Sequence, residues 1–318
     1  MEVKRQYDTG LAFNPFMSEI IMVQPNDFQN CINEPYHIYF ICKADKLFFE
    51  NDFEVSNKKI SCTVSNDKLR KRIIMPFPES NNDIISGITY SFNKSRGNVT
   101  ISYYRNFCEQ EDFTLSGRDL YNNYPDIPLE LEVVYIGQSY GKNGEKNAVE
   151  RLQSHSTLQK IQSDIIVSGE DKELIILMMK FELNIQLTFP NSLHTSSKEN
   201  VNLMERYDAS MSKYNGELVT DVTEAALINY FKPEYNEKFT TKFPSKLHKT
   251  YHELFEKKFD DLVIEIVPDS FSRDKKVPYP LLLLKSKKAE LLTSVEKGQI
   301  RYEFVDEGLV STFHELYK

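Results

Sequence analysis

The chain has 318 residues, 40% hydrophobic and 27% charged, the balance of an ordinary globular protein with room for a large core or several domains. A formal net charge of -8 argues against indiscriminate duplex binding, because nucleic-acid affinity comes mostly from cations neutralising phosphates. No apolar run approaches the roughly 20 residues of a membrane span, and Met1 to Asp8 holds no apolar signal-peptide core, so a cytoplasmic protein without membrane contact is expected.

In chain order, Tyr36 to Cys42 and Lys59 to Val64 are dense in aromatic and β-branched residues. Ile88 to Phe92 faces Val99 to Tyr104 across the turn-forming Asn93 to Asn98. Residues 1–115 therefore read as a β-rich accessory domain without a catalytic constellation. Cys31, Cys42, Cys62 and Cys108 all fall within it, with neither Cys-x-x-Cys spacing nor a histidine pair, and read as reduced thiols buried among strands, with no structural zinc.

Leu129 to Ile136 reads as a strand with Leu131, Val133 and Tyr135 on one face, ended by Gly137. From Asn147 to Ile165 the apolar positions return at helical spacing, which puts Arg151 and His155 four apart on one helix face. Glu173 to Phe189 is apolar enough for a central strand. Pro190 to Val219 reads as a long polar loop, a candidate lid, with a short helix around Val201 to Tyr207.

Residues 232–258 hold seven lysines against four glutamates, a local +3 that fits either a phosphate track or a solvated face. Beyond lie a helix at Lys249 to Lys258, a strand at Leu262 to Val267 and a helix-like Lys287 to Val295 before Gln299 to Phe304.

Two segments carry the functional signal: Val134-Tyr135-Ile136-Gly137-Gln138-Ser139 with Arg151 and His155 behind it, and Thr223 to Asn236, which ends in Pro233-Glu234-Tyr235-Asn236. Their order and flanks resemble the GIY-YIG nuclease superfamily over about residues 118–245. The resemblance implies an α+β fold, a small antiparallel sheet flanked by helices, here with a β-rich N-terminal domain (1–115) and a C-terminal α/β extension (246–318).

It also implies roles. Glu224 would hold a Mg²⁺ or Mn²⁺ ion that keeps several waters. Tyr135 would help deprotonate the attacking water, and Arg151 would take up the extra charge on phosphate with its planar fork. His155 would relay a proton. Asn236 would orient a phosphate or a catalytic side chain, or simply end its helix. Glu224 has a structural alternative as well, since Asp221-Val222-Thr223-Glu224 fits a capping box at a helix start.

One element of the family pattern is missing. No Gly-Ile-Tyr tripeptide lies about ten residues before Tyr135; Tyr124, Tyr121, Tyr103 and Tyr104 are the candidates to replace it. The expected function is metal-dependent DNA cleavage, with the N-terminal part selecting substrate or a protein partner. The alternative is a catalytically silent scaffold of the same type that binds nucleic acid or a protein.

Overall fold

The computed structural model describes residues 10–25, 35–56, 59–77, 84–118, 120, 129–141, 144–188, 197–210, 214, 216–240, 253–254, 259, 261–266, 282–293, 298–305 and 309–316. Two long segments open the fold, β1 (Gly10–Val23) and β2 (Ile38–Asp45). Seven short strands follow. β3 (Phe48–Phe49), β4 (Glu54–Val55), β5 (Lys59–Ser65) and β6 (Arg70–Pro76) make one small sheet, and β7 (Ile85–Phe92), β8 (Asn98–Arg105) and β9 (Glu109–Ser116) make another. The chain then runs through β10 (Leu129–Gln138), α1 (Ala148–Gln153), α2 (Ser156–Ser168), β11 (Lys172–Thr188), α3 (Ser197–Ser210) and α4 (Gly216–Phe231). It continues with β12 (Asp261–Ile266), β13 (Leu282–Lys285), β14 (Glu290–Thr293), β15 (Gly298–Val305) and β16 (Leu309–Leu316).

The main sheet has nine strands in the order β14-β13-β10-β2-β11-β1-β12-β15-β16. It is mixed: β10 with β13 and β1 with β12 are parallel, the other pairings antiparallel. Six of the strands curl into a half-barrel. This overturns the expectation of a small antiparallel α+β sheet flanked by helices behind a separate β-rich portion. β1 and β2 are interior strands of the main sheet, and the short strands β3 to β9 form an excursion between β2 and β10. Sheet pairing is non-local, so an apolar strand near residue 40 gives no local sign of a partner ninety residues on.

β2 is buried from Ile38 through Cys42, as befits a strand covered on both faces. Its side chains alternate. Ile38, Phe40 and Cys42 join the larger core with Leu131, Val133, Ile136 and the apolar face of α4, whereas Tyr39 and Ile41 join Val134 and the apolar faces of α1 and α2. On β10 the alternation breaks, because the register with β2 slips between Val133 and Tyr135. The extra residue, Val134, is a bulge, and a bulge re-aims every side chain beyond it. Tyr135 therefore faces away from Leu131 and Val133, not with them as strict period two predicts.

The hairpin around Asn93 to Asn98 forms as expected, with Phe92 opposite Val99. Lys287 to Val295 is not helical over its described part: Glu290 to Thr293 pairs with Leu282 to Lys285. Within Pro190 to Val219, described residues 197–210 and 216–219 are helical, so that stretch is less loop than its polarity suggests. Cys42 and Cys62 are free and buried, Cys108 is free but exposed, and Cys31 lies outside the described residues. Most of Lys249 to Lys258, and Lys242, Lys246, Lys249, Lys257 and Lys258 of the lysine run, also lie outside them. Among the described residues no helix is long and apolar enough to cross a membrane.

Candidate active site

The site is built where β2 begins and β10 ends. Their antiparallel register sets Tyr39 opposite Gly137. A Cβ on Gly137 would stand 2.6 Å from the Tyr39 ring and hydroxyl and 2.8 Å from the Tyr135 ring. Gly137 is thus required by the two tyrosines that close over it. Gly137→Ala is expected to cost about 1–3 kcal/mol, the usual toll of overpacking, read as a lower urea midpoint with an unchanged m-value.

Tyr39, Tyr135 and His155 form a cluster of rings. The centroid separations are 6.2 Å for Tyr39–Tyr135, 5.7 Å for Tyr39–His155 and 5.0 Å for Tyr135–His155. Tyr39 is fully buried, and no group completes hydrogen-bond geometry with its hydroxyl. Burial raises its pKa, the neighbouring Tyr135 adds to this, and the approach of Arg151 opposes it. Tyr135 is shifted upward too, first by burial and then by the nearby Glu224, with Arg151 and the Tyr39 hydroxyl working against the shift.

Arg151 and His155 do not share a helix, contrary to the reading from spacing. α1 stops at Gln153, and His155 is the N-cap of α2, its Nδ1 accepting from the Leu158 N–H at 3.2 Å. Since Nδ1 is an acceptor, the neutral ring carries its proton on Nε2. Burial, and then the Arg151 charge, lower the His155 pKa, which favours that neutral ring. Arg151 itself is exposed on its turn. Its charge acts on Tyr39, Tyr135, His155 and Glu224 alike.

Glu224 sits in the third turn of α4, which begins at Gly216, so the capping-box alternative fails: this glutamate is nowhere near a helix start. It is half-buried, and its pKa is pushed up to about 7. Burial is the main cause, the Asp221 carboxylate one turn earlier adds to it, and Gln138, Arg151 and Lys238 oppose it. Gln138, next after Gly137, donates from Nε2 to Asp221 Oδ1 at 2.6 Å, tying the end of β10 to α4.

Asn236 is tied to the backbone of β10. Its Oδ1 accepts the Ile136 N–H at 2.9 Å and its Nδ2 donates to the Ile136 carbonyl at 2.8 Å, while the Tyr235 N–H donates to the Val134 carbonyl at 3.0 Å. β13 pairs β10 only from Leu129 to Glu132. The Tyr235-Asn236 segment thus completes the open edge of β10 beside Tyr135, satisfying backbone groups that would otherwise lack partners. Nor does Asn236 end the helix: Lys232, at φ 47°, is the left-handed residue following Phe231.

Sequence reasoning missed Tyr39, Gln138 and Asp221. Tyr39 lies at the start of β2, and the excursion β3 to β9 separates it in the chain from Gly137, its partner across the β2–β10 ladder. Tyr103 is committed elsewhere, its hydroxyl donating to Glu111, and Tyr104 is exposed on the small sheet; Tyr121 and Tyr124 lie outside the described residues. Among the described residues no three His, Cys, Asp or Glu side chains gather as a metal cluster. A half-buried carboxylate with a second one turn away, its charge felt by the unpartnered Tyr39 hydroxyl, fits a hydrated hard cation held by one or two protein oxygens rather than zinc. No family model matches the chain, and no curated protein or solved structure gives a significant match.

Proposed function

We propose that this protein is a metal-dependent endonuclease of GIY-YIG type that hydrolyses phosphodiester bonds of DNA with Mg²⁺ or Mn²⁺. What supports the reading is one observation: Tyr39, Tyr135 and His155, drawn from β2, β10 and the α1–α2 junction, pack ring against ring, and the charges of Arg151 on α1 and Glu224 on α4 act on both tyrosines. Glu224, with Asp221 behind it, would hold the cation, which when bound would supply positive charge to the attacking and phosphate oxygens.

Both tyrosines are shifted upward, so neither is a preformed phenolate. Their hydroxyls relay the proton of the attacking water, each giving up its own proton as it takes one, so that the proton leaves to solvent as the water oxygen bonds to phosphorus. Arg151 neutralises the charge gathered on the phosphate oxygens as the P–O bond to the leaving sugar breaks. His155 presents Nε2–H, a donor, and acts by bracing the two rings more than as a base. Asn236 positions Tyr135 through the backbone of Ile136. The free thiols Cys42, Cys62 and Cys108 accord with a reducing, cytoplasmic setting.

The test is cleavage of plasmid or duplex oligonucleotide with Mg²⁺ or Mn²⁺ by the parent, Glu224→Ala and Arg151→Ala. Loss of at least ~100-fold in both variants is expected. Equal cleavage by all three would sink the assignment. Salt-dependent DNA binding by a parent that never cleaves would favour the silent scaffold.

A further inference from the structure

A second feature on the face of the main sheet that carries Tyr39 has no part in this chemistry. Along β2, side chains alternate, so Tyr39 and Ile41 share their face with Lys43 and Asp45. There the ends of β2, β10, β11 and β13 frame a cleft of about 260 Å³. Five of its lining residues are lysines: Lys43, Lys68, Lys172, Lys285 and Lys287. Three lining carboxylates, Asp45, Glu130 and Glu132, leave the wall at +2 in a chain of net charge -8.

The lysines are held by ion pairs of a particular kind. Asp45 is shared by Lys68 and Lys172, and Glu130 by Lys68 and Lys285, while Lys43 and Lys287 reach out of the cleft to Glu170 and Glu234. Lys68 is 51% and Lys287 69% exposed, and pairs so open to water are worth only about 0–1 kcal/mol each. Each ammonium has three donors and no acceptor, and among the described residues no aromatic side chain lines the cleft. It can therefore receive phosphate oxygens but cannot stack a base.

We infer that this cleft binds backbone phosphates of the nucleic-acid substrate on one side of the cleaved bond. The inference rests on the nuclease reading above. Lys43 lies four residues from Tyr39 on one strand, roughly 13 Å at 3.3 Å per residue. Successive phosphates of one DNA strand advance ~3.4 Å along the axis, so the cleft meets a phosphate about four nucleotides from the site of cleavage.

The test measures binding apart from cutting. Full-length Glu224→Gln protein is titrated into a labelled 20-base-pair duplex, followed by anisotropy over a range of salt, and compared with the same protein carrying Lys285→Glu and Lys287→Glu. The cleft variant is expected to bind at least ~10-fold more weakly, with a slope of log K against log salt smaller by about 2. A Lys59→Glu, Lys94→Glu variant, with the same charge change on the excursion sheets, should bind like its parent. If it weakens equally, or if the cleft variant keeps affinity and slope, the inference is overturned.

Inorganic pyrophosphate separates the sources of phosphate. Displacement of the duplex from the parent, but not from the cleft variant, supports the inference, whereas pyrophosphate binding that needs the cleft while DNA binding does not overturns it. Should the glutamate variant fold poorly, Lys285→Gln with Lys287→Gln gives the same slope readout. Normal cleavage by a Lys285→Glu, Lys287→Glu variant that keeps Glu224, together with an unaltered slope, sinks the cleft alone. Cleft-dependent binding by a protein that never cleaves even with Glu224 intact sinks the catalytic reading alone.

Discussion

Glu224→Gln is expected to make the protein more stable than its parent at pH 8 by about 2–3 kcal/mol and no different at pH 4, while abolishing cleavage. The sign follows from the direction in which burial moves the carboxyl. In the folded protein Glu224 keeps its proton up to about pH 7, whereas an unperturbed glutamate gives it up near 4.5. Between those values the folded state holds more protons than the unfolded state, so stability falls as pH rises. Above both, an ionised carboxylate sits in a half-buried site, at a cost of ~1.4 kcal/mol for every tenfold by which folding tightens its hold on the proton. Glutamine removes the charge but can still accept from Gln138.

A cation that binds Glu224 narrows the gap. It binds the folded parent only, and 10 mM Mg²⁺ at a Kd of ~1 mM would add about 1.4 kcal/mol. Urea titrations at pH 4 and pH 8, with and without Mg²⁺, check every part of this. Equal stability of the two proteins at pH 8, together with an equal response to Mg²⁺, would show that Glu224 neither bears the buried charge nor holds the ion.

Legibility in the sequence followed the range of the interaction. Tyr135, Arg151 and Glu224 were readable because each lies in a short segment with its context attached: a strand ending in glycine, a helix start, a helix running into Pro233. Tyr39 was not, since its partner Gly137 is reached only through β-pairing across the whole excursion β3 to β9. The same distance hid the fold class. β1 takes β11 on one side and β12 on the other, pairings that no local pattern announces.

Two local rules also failed for physical reasons. Strict alternation put Tyr135 with Val133 until the bulge at Val134 turned it over. Lys287 to Leu292 is rich in helix formers, yet the ladder with Leu282 to Lys285 decides its state, because propensity is a weak prior against tertiary pairing. Asn236 illustrates a subtler limit. Its place in the motif was legible, but its task as the missing ladder partner of Ile136 depends on β13 ending short.

Tyr39→Phe is the sharpest probe of the whole site, because its two readouts are expected to move in opposite directions. The Tyr39 hydroxyl is buried without a completed hydrogen bond. A buried polar group in that state costs about 1–3 kcal/mol, so phenylalanine should leave stability unchanged or raise it by ~1 kcal/mol. If the hydroxyl is instead part of the proton path, cleavage should fall by about 100-fold to 10,000-fold. Tyr36 is the internal control, three residues away and equally buried, with its hydroxyl donating to Glu19 at 2.8 Å. Tyr36→Phe should therefore lose ~1 kcal/mol and cut normally. A structural tyrosine loses stability with its hydroxyl and keeps activity; one whose hydroxyl is held ready for a reaction does the reverse. Lower stability with unimpaired cleavage in Tyr39→Phe would make its hydroxyl an ordinary partner of Arg151 and remove it from the chemistry.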